Sequence, residues 1–311
     1  MVEYQIPFIR HKPDTKWAVA VFAHNEENNI ERCLESLLTA TKTPGALLIY
    51  VLNNGSADNT ASIVATFAIK HPQVQLCEIV LGDKANAWNY FVHDLTPKAD
   101  CFFFVDGDVT FASGALDELH SALAQNIDAH IATGVPGSGR HRHDQLEALM
   151  TNGGVLGNLY AAKAKFIETI RQRKIRMPTG FIREDGLVGA FAMFNLDPLT
   201  HQWNKARVVT VTTACFLFTS LKWWSFADMR LYWRRRIRYS IGHFQNMLLK
   251  DILWSKGIAA IPNDDAELYA SGPLPTLKWR GLNTIFDAIA LTHIKHRRLS
   301  TTTKRDFFHN S

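Results

Sequence analysis

Short apolar segments alternate with helical patterns between residues 17 and 137, and this alternation restricts the fold more than any other feature of the sequence. The helical patterns repeat apolar residues at the spacing of one helix face, as in Ile30, Cys33, Leu34 and Leu37. Strands that alternate with helices form parallel sheets, because each helix returns the chain to the edge where the next strand starts. We therefore predict an α/β fold with a mostly parallel sheet and helices on both faces. The predicted strands are 17–23, 47–52, 74–80, 102–105 and 129–137.

The fourth predicted strand ends abruptly at two carboxylates. In CFFFVDGDVTF, residues 101–111, an apolar run stops at Asp106 and Asp108, which are separated by Gly107. The carboxyl edge of the sheet is where open α/β folds bind their ligands, and paired carboxylates at that edge are typical of a cation site. Asp and Gly are also ordinary turn residues, so a plain turn after the strand is the alternative.

The composition predicts a globular protein but does not choose a partner. Of the 311 residues, 47% are hydrophobic and 20% are charged. The net charge of +5 and the pI near 9.0 suit a protein that handles phosphates or contacts an anionic membrane as well as they suit one that binds nucleic acid.

Cysteine usage and hydropathy predict a cytoplasmic protein. The four cysteines are widely spaced in apolar segments, which indicates neither a zinc site nor a disulfide framework. Residues 1–14 contain no long apolar core, and the uncharged stretch Val208–Leu221 is too short and too rich in threonine to span a membrane. We therefore expect no transmembrane segment. The cysteines are Cys33, Cys77, Cys101 and Cys215.

Beyond residue 138 the alternation weakens. Residues 138–178 are rich in Lys and Arg and predict an inserted helical region. The β-branched and aromatic residues of 182–194 and 208–218 predict strands, and the basic segment 231–249 predicts a helix.

Residues 271–311 predict a linker, a helix and a tail. Pro and Gly in segment 271–281 indicate a linker. An amphipathic helix should follow, and the final segment 296–311 predicts a loose basic tail. The apolar side of the helix would carry Leu282, Ile285, Phe286 and Ile289.

Four segments, in this order, resemble glycosyltransferase family 2, a large group of inverting enzymes with the GT-A fold. They are VFAHNEENNIERCLESLL, VLNNGSADNTASIV, DKANAWN and FFFVDGDVTF. GFIREDGLVG resembles the family's acidic Glu-Asp motif and RRIRY its Gln/Arg-x-x-Arg-Trp element, so the resemblance spans about residues 17 to 240. It implies a Rossmann-like GT-A catalytic domain followed by a helical C-terminal region. The implied divisions are a catalytic domain at 1–245, with a nucleotide-binding half at 15–137 and an acceptor-side half at 138–245, a helical extension at 246–295 and the tail at 296–311.

The resemblance implies a metal-binding role for the carboxylate pair. Asp108 would ligate a divalent ion directly, and Asp106 would lie near both the ion and the ribose of the donor. Such an ion neutralises a departing diphosphate, and oxygen ligands favour Mg or Mn over zinc. His243 is a further candidate ligand, one of 13 histidines in the chain.

The acidic motif supplies the candidate catalytic base. An acceptor hydroxyl must lose its proton as it attacks the anomeric carbon, which requires a carboxylate on the face opposite the diphosphate. We assign that role to Asp185, with Glu184 orienting the site or contacting the acceptor. A solvated charged turn formed by Arg183, Glu184 and Asp185 is the alternative.

Nucleotide recognition would fall to the ends of the first two strands. Ala23, Asn25 and Glu27 would border the base, Asn25 would also cap the first helix, and Asn54 would reach the base's ring edge. Many relatives have Asp where this chain has Asn, so the identity of the base stays open. Lys84 resembles the family's lysine near the nucleotide, although a surface lysine that faces solvent is the alternative.

The RRIRY element would bind the diphosphate or the acceptor. Arg238 can meet a diphosphate bidentately, and Arg235 and Tyr239 would line the acceptor groove. The family prefers Trp at the position of Tyr239. A solvated basic helix face is the alternative for these residues.

The implied enzyme moves a sugar from a nucleotide-diphosphate sugar to a hydroxyl acceptor, as hexosyltransferases do, with inversion in a single displacement. One alternative is a nucleotidyltransferase, but such enzymes usually have a basic glycine-rich phosphate loop where this chain has the acidic AHNEEN. The other is an inactive binding module, which would be expected to lose the carboxylate pair or the base.

The acceptor is a matter of hypothesis. We expect a cell-envelope glycan or a lipid-linked precursor, and no nucleic acid. The basic helix, the segment Lys278-Trp279-Arg280 and the apolar face of the last helix suit peripheral contact with an anionic membrane on its inner face. Ordinary core packing is the alternative for that apolar face.

Overall fold

The computed structural model describes residues 17–42, 47–139, 142–218 and 226–309. Its centre is one eight-stranded sheet in the order β3-β2-β1-β4-β7-β6-β8-β5. The strands β1 to β4 are parallel, β7 is antiparallel to both β4 and β6, and β8 is parallel to β6 but antiparallel to β5. The strands are β1 (Trp17–Ala23), β2 (Leu47–Asn54), β3 (Val74–Ile79), β4 (Cys101–Asp106), β5 (Val109–Phe111), β6 (Ile131–Pro136), β7 (Leu159–Lys163) and β8 (Val208–Phe218).

Helices cover both faces of the sheet, as predicted. Alternate residues of β1 enter two different cores: Ala18, Ala20 and Phe22 face one, and Val19 and Val21 face the other. The helices α1, α2 and α4 pack on the second core, whereas α3, α6, α7 and the C-terminal helices pack on the first. The helices are α1 (Ile30–Thr39), α2 (Thr60–Lys70), α3 (Lys84–Asn89), α4 (Ala115–Gln125), α5 (Arg142–Asn152), α6 (Ala164–Gln172), α7 (Glu184–Met193), α8 (Phe226–Lys256), α9 (Asp265–Ala270) and α10 (Asn283–His309).

All five strands predicted before residue 138 are present, but the predictions for the second half are only partly correct. Residues 182–194 form no strand, because they fold largely as α7, which buries Leu187, Val188 and Phe191 at helical spacing. The region 138–178 contains α5 and α6, as expected for a helical insertion, but also β7. This short strand pairs with β4 and was not predicted.

The C-terminal helices are attached to the loop before α7 through one buried amide. Gln245 of α8 is fully buried. Its side-chain oxygen accepts a hydrogen bond of 3.0 Å from the backbone N–H of Ile182. Its Nε2 donates to the carbonyl of Gly180 and to the hydroxyl of Tyr269. The loop 180–183 is therefore fixed by α8, and the predicted division at 245/246 lies within this single helix.

The last helix differs from its predicted form. Leu282 and Ile285 are exposed, and the buried side is formed by Phe286, Ala290 and Ile294. The helix continues to His309, through most of the segment that was predicted to be a loose tail.

Some predictions concern residues outside the described ranges. These are the absence of an apolar core in residues 1–14, positions 219–221 of the uncharged stretch, and the last two positions of the tail. Within the described ranges, no helix combines the length and the apolar character that a bilayer crossing needs.

Candidate active site

The turn after β4 is held closely against the end of β1. Phe22 lies beside Asp106 in the parallel ladder, and the backbone N–H of Gly107 donates a 2.8 Å hydrogen bond to the carbonyl of Phe22. A Cβ atom on Gly107 would lie 3.0 Å from that carbonyl oxygen and 3.3 Å from Cδ1 of Ile30. Glycine is needed here because of this close approach, which fixes Asp106 and Asp108 at the carboxyl edge of the sheet.

Lys84 joins two carboxylates that are far apart in the sequence. Its Nζ lies 2.5 Å from Asp106 Oδ1 and 2.8 Å from Glu184 Oε1. The other oxygen of Asp106 accepts a 3.0 Å hydrogen bond from Asn158 Nδ2. Lys84 is therefore not the solvent-facing lysine of the alternative interpretation. It is the central cation of a cluster, the Lys84 triad, formed by Lys84, Asp106 and Glu184.

One cation serves two carboxylates in this triad, and the pKa shifts follow from that. Burial alone would lower the pKa of Lys84, but the charges of Asp106 and Glu184 outweigh it and raise this pKa well above its usual range. Burial raises the pKa of Asp106, and it raises the pKa of Glu184 to about 7, with Lys84 opposing both shifts. The lysine stays charged, and Glu184 can hold a proton near neutral pH.

Asp185 lies beside the triad in the first turn of α7. Its Oδ2 accepts a 3.2 Å hydrogen bond from the backbone N–H of Gly157, and its Oδ1 accepts one of 2.7 Å from Gly186. The N-terminal end of a helix favours negative charge. The two backbone donors therefore orient this carboxylate, while the side chain stays partly accessible.

Asp108 faces a different cation. One of its oxygens lies 3.8 Å from a guanidinium nitrogen of Arg235, and the side chains are 33% and 46% exposed. This long, solvated contact is weak. Asp108 is therefore more available to a ligand than Asp106.

Glu26 is a third acidic group at this edge, and the sequence analysis did not assign it to the site. Burial raises its pKa from the usual 4.5 to about 7, a hydrogen bond from Asn29 opposes the shift, and the charges of Asp108 and Asp106 add to it. The charges of Asp106 and Asp108 therefore reach Glu26 where β1 and β4 end.

The partly buried Glu26 leads to a prediction about stability and pH. A folded pKa of about 7 lies above the ordinary 4.5, so the stability that this group contributes is present in full below about pH 4.5 and is lost as the pH rises through about 7. We expect the contribution of Glu26 to the free energy of unfolding to fall by about 1 kcal/mol as the pH rises from 6 to 8. Urea unfolding of the wild type and Glu26→Gln at both pH values measures this, and the variant should lose that part of the dependence. Glu31→Gln, an exposed change on α1, is the control, and identical profiles for Glu26→Gln and the wild type would contradict the prediction.

The residues predicted to border the nucleotide gather at the ends of β1 and β2. Ala23 is buried in the ladder opposite Asn53. Asn25 is exposed with a φ of 57°, and its Oδ1 accepts a 2.8 Å hydrogen bond from the N–H of Ala57. It does not cap α1, which begins at Ile30.

Glu27 and Asn54 are engaged with neighbouring loops. Glu27 Oε2 accepts hydrogen bonds from the backbone and side chain of Asn59. Asn54 is buried, and its Oδ1 accepts a 2.8 Å hydrogen bond from the N–H of Asp83. The structure thus brings these residues to one rim of the sheet, where their assignment to the nucleotide stays a prediction.

Three predicted residues of α8 lie apart from the carboxylates. Arg238 is exposed and lies near Asp83, whose pKa burial raises and Arg238 lowers. Tyr239 is 61% exposed. His243 lies in a pocket with several arginines, and burial and the charges of Arg280 and Arg183 lower its pKa. The structure does not bring His243 to the carboxylate pair as a third ligand.

The carboxylate pair fits a magnesium-type site. Among the described residues, no three His, Cys, Asp or Glu side chains form a group that would enclose a metal. Mg²⁺ is usually held by one or two carboxylates and completes its shell with water and substrate phosphates. Asp108, with Asp106 beside it, offers this kind of donor set.

Two supporting residues were missed in the sequence analysis. Asn158 reaches Asp106 from the loop before β7, a strand that was not predicted. Asp83 caps α3 through the N–H of Asn86 and accepts a 3.0 Å hydrogen bond from the N–H of Gly180. The only local signal was the position of Asp83 directly before the helix that carries Lys84.

Comparison with known proteins identifies the family. Residues 18–202 match the family model described as glycosyl transferase family 2. The chain is 32% identical over 94 residues to the uncharacterized glycosyltransferase YibD of Escherichia coli (strain K12). That alignment covers 30% of this chain and 27% of YibD, so the chain matches only a minor part of the length of this relative.

The fold is also similar to solved structures. The mannosyltransferase PcManGT from Pyrobaculum calidifontis, in complex with GDP-Man and Mn²⁺, has a TM-score of 0.59 at 19% identity, covering 94% of this chain and 80% of that one. S. aureus TarS 1–349, in complex with UDP-GlcNAc, has a TM-score of 0.49 at 15% identity, covering 93% of this chain and 92% of that one. The family match spans more than half of the chain, and together with the GT-A architecture it identifies the protein as a glycosyltransferase of family 2.

Proposed function

We propose that this enzyme transfers a sugar from a nucleotide-diphosphate sugar to a hydroxyl acceptor, with inversion and with the help of Mn²⁺ or Mg²⁺. The observation that carries the proposal is the arrangement at the sheet edge: Lys84 contacts both Asp106, a member of the carboxylate pair, and Glu184, the neighbour of Asp185. This contact supports a single site in which the carboxylate pair would hold the divalent ion and Asp185 would act as the base. Membership in the family favours this activity over a nucleotidyltransferase or an inactive module.

The proposed steps assign one task to each group. Asp185 accepts the proton of the acceptor hydroxyl, because it is oriented by Gly157 and Gly186 and stays accessible. Lys84 holds Asp106 and Glu184 in place with its charge. Asp108 and Asp106 would hold the divalent ion, which supplies Lewis-acid stabilisation of the departing diphosphate.

Arg235 and Arg238 of α8 and the rim of β1 and β2 would bind the donor. Arg235 already lies beside Asp108 and can turn to a phosphate oxygen, since its contact with Asp108 is long and solvated. Arg238 is exposed on the same helix and can contribute a second guanidinium. Asn25, Glu27 and Asn54 lie where the base and ribose would be recognised.

Calorimetric binding of nucleoside diphosphates tests this proposal. We expect one diphosphate to bind in the presence of Mn²⁺ and to bind at least tenfold more weakly without the ion or to Asp108→Ala. Asp251→Ala, an exposed change on α8, is the matched control and should leave the affinity unchanged. If no diphosphate binds the wild type, the chain is not a sugar-nucleotide transferase of this kind.

We further propose that the enzyme is cytoplasmic and contacts an anionic membrane, where a cell-envelope glycan or lipid-linked acceptor would be presented. The start of α8 and the segment before α10 expose large apolar side chains next to basic ones, including Arg230, Arg234 and Lys278. Aromatic and basic side chains together are typical of surfaces that lie at a membrane interface. This aromatic-basic surface contains Met229, Tyr232, Trp233, Leu277, Trp279 and Leu282, which are 45–85% exposed.

Vesicle sedimentation tests the membrane contact. The wild type should bind vesicles that contain phosphatidylglycerol at low salt and dissociate at high salt, because surface charges are screened. Trp279→Ser with Leu282→Ser should reduce this binding at least fivefold. Ile69→Ser, an equally exposed apolar change on α2, is the control. Wild-type protein that ignores anionic vesicles at low salt would exclude the contact.

A further inference from the structure

A basic pocket is formed by the loop before α7, by α8 and by the start of α10, and neither Asp106 nor Asp108 lines it. It has a volume of about 140 Å³, only a few times the volume of a water molecule at about 30 Å³. That volume is large enough to hold a phosphate group. It is lined by Arg183, Arg236, Tyr239, Ser240, His243, Arg280 and Asn283, and no carboxylate is among these residues.

The loop before α7 brings the pocket next to the catalytic base. Arg183 immediately precedes Glu184 and Asp185. A Cβ atom on Gly242 would lie 2.8 Å from Cγ of Arg183, so α8 has a glycine where the stem of this arginine passes. The buried Gln245 fixes the same loop through the N–H of Ile182. The stem of Arg183 therefore packs against α8, two residues before Asp185 in the chain.

The other two arginines are already oriented. Arg236 donates to Asn283 Oδ1, and its guanidinium lies 5.3 Å from the ring centroid of Phe286. Arg280 forms hydrogen bonds of 3.2 and 3.1 Å with both oxygens of Asp287. Orientation in advance lowers the entropy cost of binding a ligand.

The pocket carries excess positive charge. Asp287 neutralises Arg280, but neither Arg183 nor Arg236 forms an ion pair with a carboxylate of the described part of the chain. The N-terminus of α10 begins at Asn283, which lines the pocket, and helix N-termini attract anions. The arginines, the N-terminal end of α10 and the small volume of the pocket all favour a compact anion.

We propose that this pocket binds a phosphate group of the acceptor, so that the enzyme glycosylates a phosphorylated molecule whose hydroxyl reaches Asp185. The inference rests on the proposed transferase site and names the class of its acceptor. The same phosphate chemistry can come from a soluble phosphate ester or from the headgroup of a lipid. The aromatic-basic surface includes Trp279, the neighbour of Arg280, so either source has access.

Binding of glycerol phosphate to the full chain, with nucleoside diphosphate and Mn²⁺ present, is the first experiment. We expect saturable binding to the wild type, at least tenfold weaker binding to Arg183→Gln/Arg236→Gln, and partial recovery in Arg183→Lys/Arg236→Lys. Arg234→Gln removes a charge from the same helix outside the pocket and should change the affinity less than twofold. Diphosphate affinity should be unchanged in all of these variants.

The pKa of His243 reports phosphate binding in the wild type, without substitution of an arginine. Burial and the charges of Arg280 and Arg183 lower its pKa, against the opposing charge of Asp287. A bound phosphate dianion should raise this pKa, which an NMR titration of the wild-type histidine measures, with His243→Gln used to assign the signal.

Vesicles distinguish the two sources of phosphate. If the acceptor is a lipid, vesicles with phosphatidic acid should bind more tightly than vesicles of equal charge with phosphatidylglycerol, and Arg183→Gln/Arg236→Gln should lose this preference. Binding of glycerol phosphate without that preference would indicate a soluble acceptor.

Two outcomes would overturn this inference and leave the proposed function intact. One is donor binding with no phosphate binding and no change at His243. The other is loss of diphosphate binding in Arg183→Gln/Arg236→Gln, which would assign the pocket to the donor. Failure of the wild type to bind any diphosphate would instead overturn the proposed function.

Discussion

Replacement of Asp185 by asparagine is expected to lower the rate constant of sugar transfer by about 10²- to 10⁴-fold, the usual contribution of a general base. The amide is nearly the same size as the carboxylate and can still accept a hydrogen bond from Gly157 or Gly186, so the geometry of α7 should survive. The affinity for the nucleoside diphosphate should change less than twofold, because Asp185 is proposed to act on the acceptor. Initial rates and calorimetry on one preparation measure both quantities.

An Asp→Asn substitution away from the site controls for the effect of introducing an amide. Asp251→Asn on the exposed side of α8 should retain full activity. If Asp185→Asn keeps more than a tenth of the wild-type rate, the base has been assigned wrongly, and Glu184→Gln becomes the decisive variant. A large loss of diphosphate affinity would place Asp185 in the donor site instead.

Replacement of Lys84 by methionine is expected to have the largest effect on stability. It removes the only cation that contacts Asp106 and Glu184 among the described residues and leaves two carboxylates facing each other. Loss of one partner from a buried pair costs about 3–5 kcal/mol, and the 25% exposure of this lysine side chain reduces our expectation to about 2–3 kcal/mol near pH 8. Urea unfolding measures the difference.

The pH dependence of this loss follows from the direction of the shifts. Both carboxyl groups have raised pKa values in the folded state, and removal of Lys84 would raise them further. Their protonated forms favour folding, so the cost of Lys84→Met should be smaller at pH 5.5 than at pH 8. Adding Glu184→Gln should restore part of the stability at pH 8. Lys70→Met on α2 is the surface control, and an equal cost at both pH values would contradict this account.

The sequence was most informative where one strand contains both the apolar residues that pack in the core and the carboxylates of the site. The apolar run that ends at Asp106 fixed the depth and direction of β4, so the position of the carboxylate pair at the sheet edge could be predicted. The Lys84 triad could not be assembled in this way. Its members come from three separate elements, and only the packed sheet and α7 bring them within 2.8 Å.

Two errors have a common physical cause. The segment that forms α7 is apolar on most sides because it is buried between the sheet and α8, so its composition resembled a strand while its helical period was hidden. The five residues of β7 include two alanines and were too short to show alternation. In both cases tertiary packing, which the local sequence does not record, decides the structure.

The buried amide of Gln245 has a consequence for how this enzyme can change its acceptor. The family match ends at residue 202, yet the loop that presents Asp185 is fastened to a helix that lies wholly beyond that point. The C-terminal helices are therefore not a module that evolution can exchange independently. A swap that recruits a new acceptor must preserve the amide contacts of α8 or compensate for them, because otherwise the new binding surface is accompanied by a displaced Asp185.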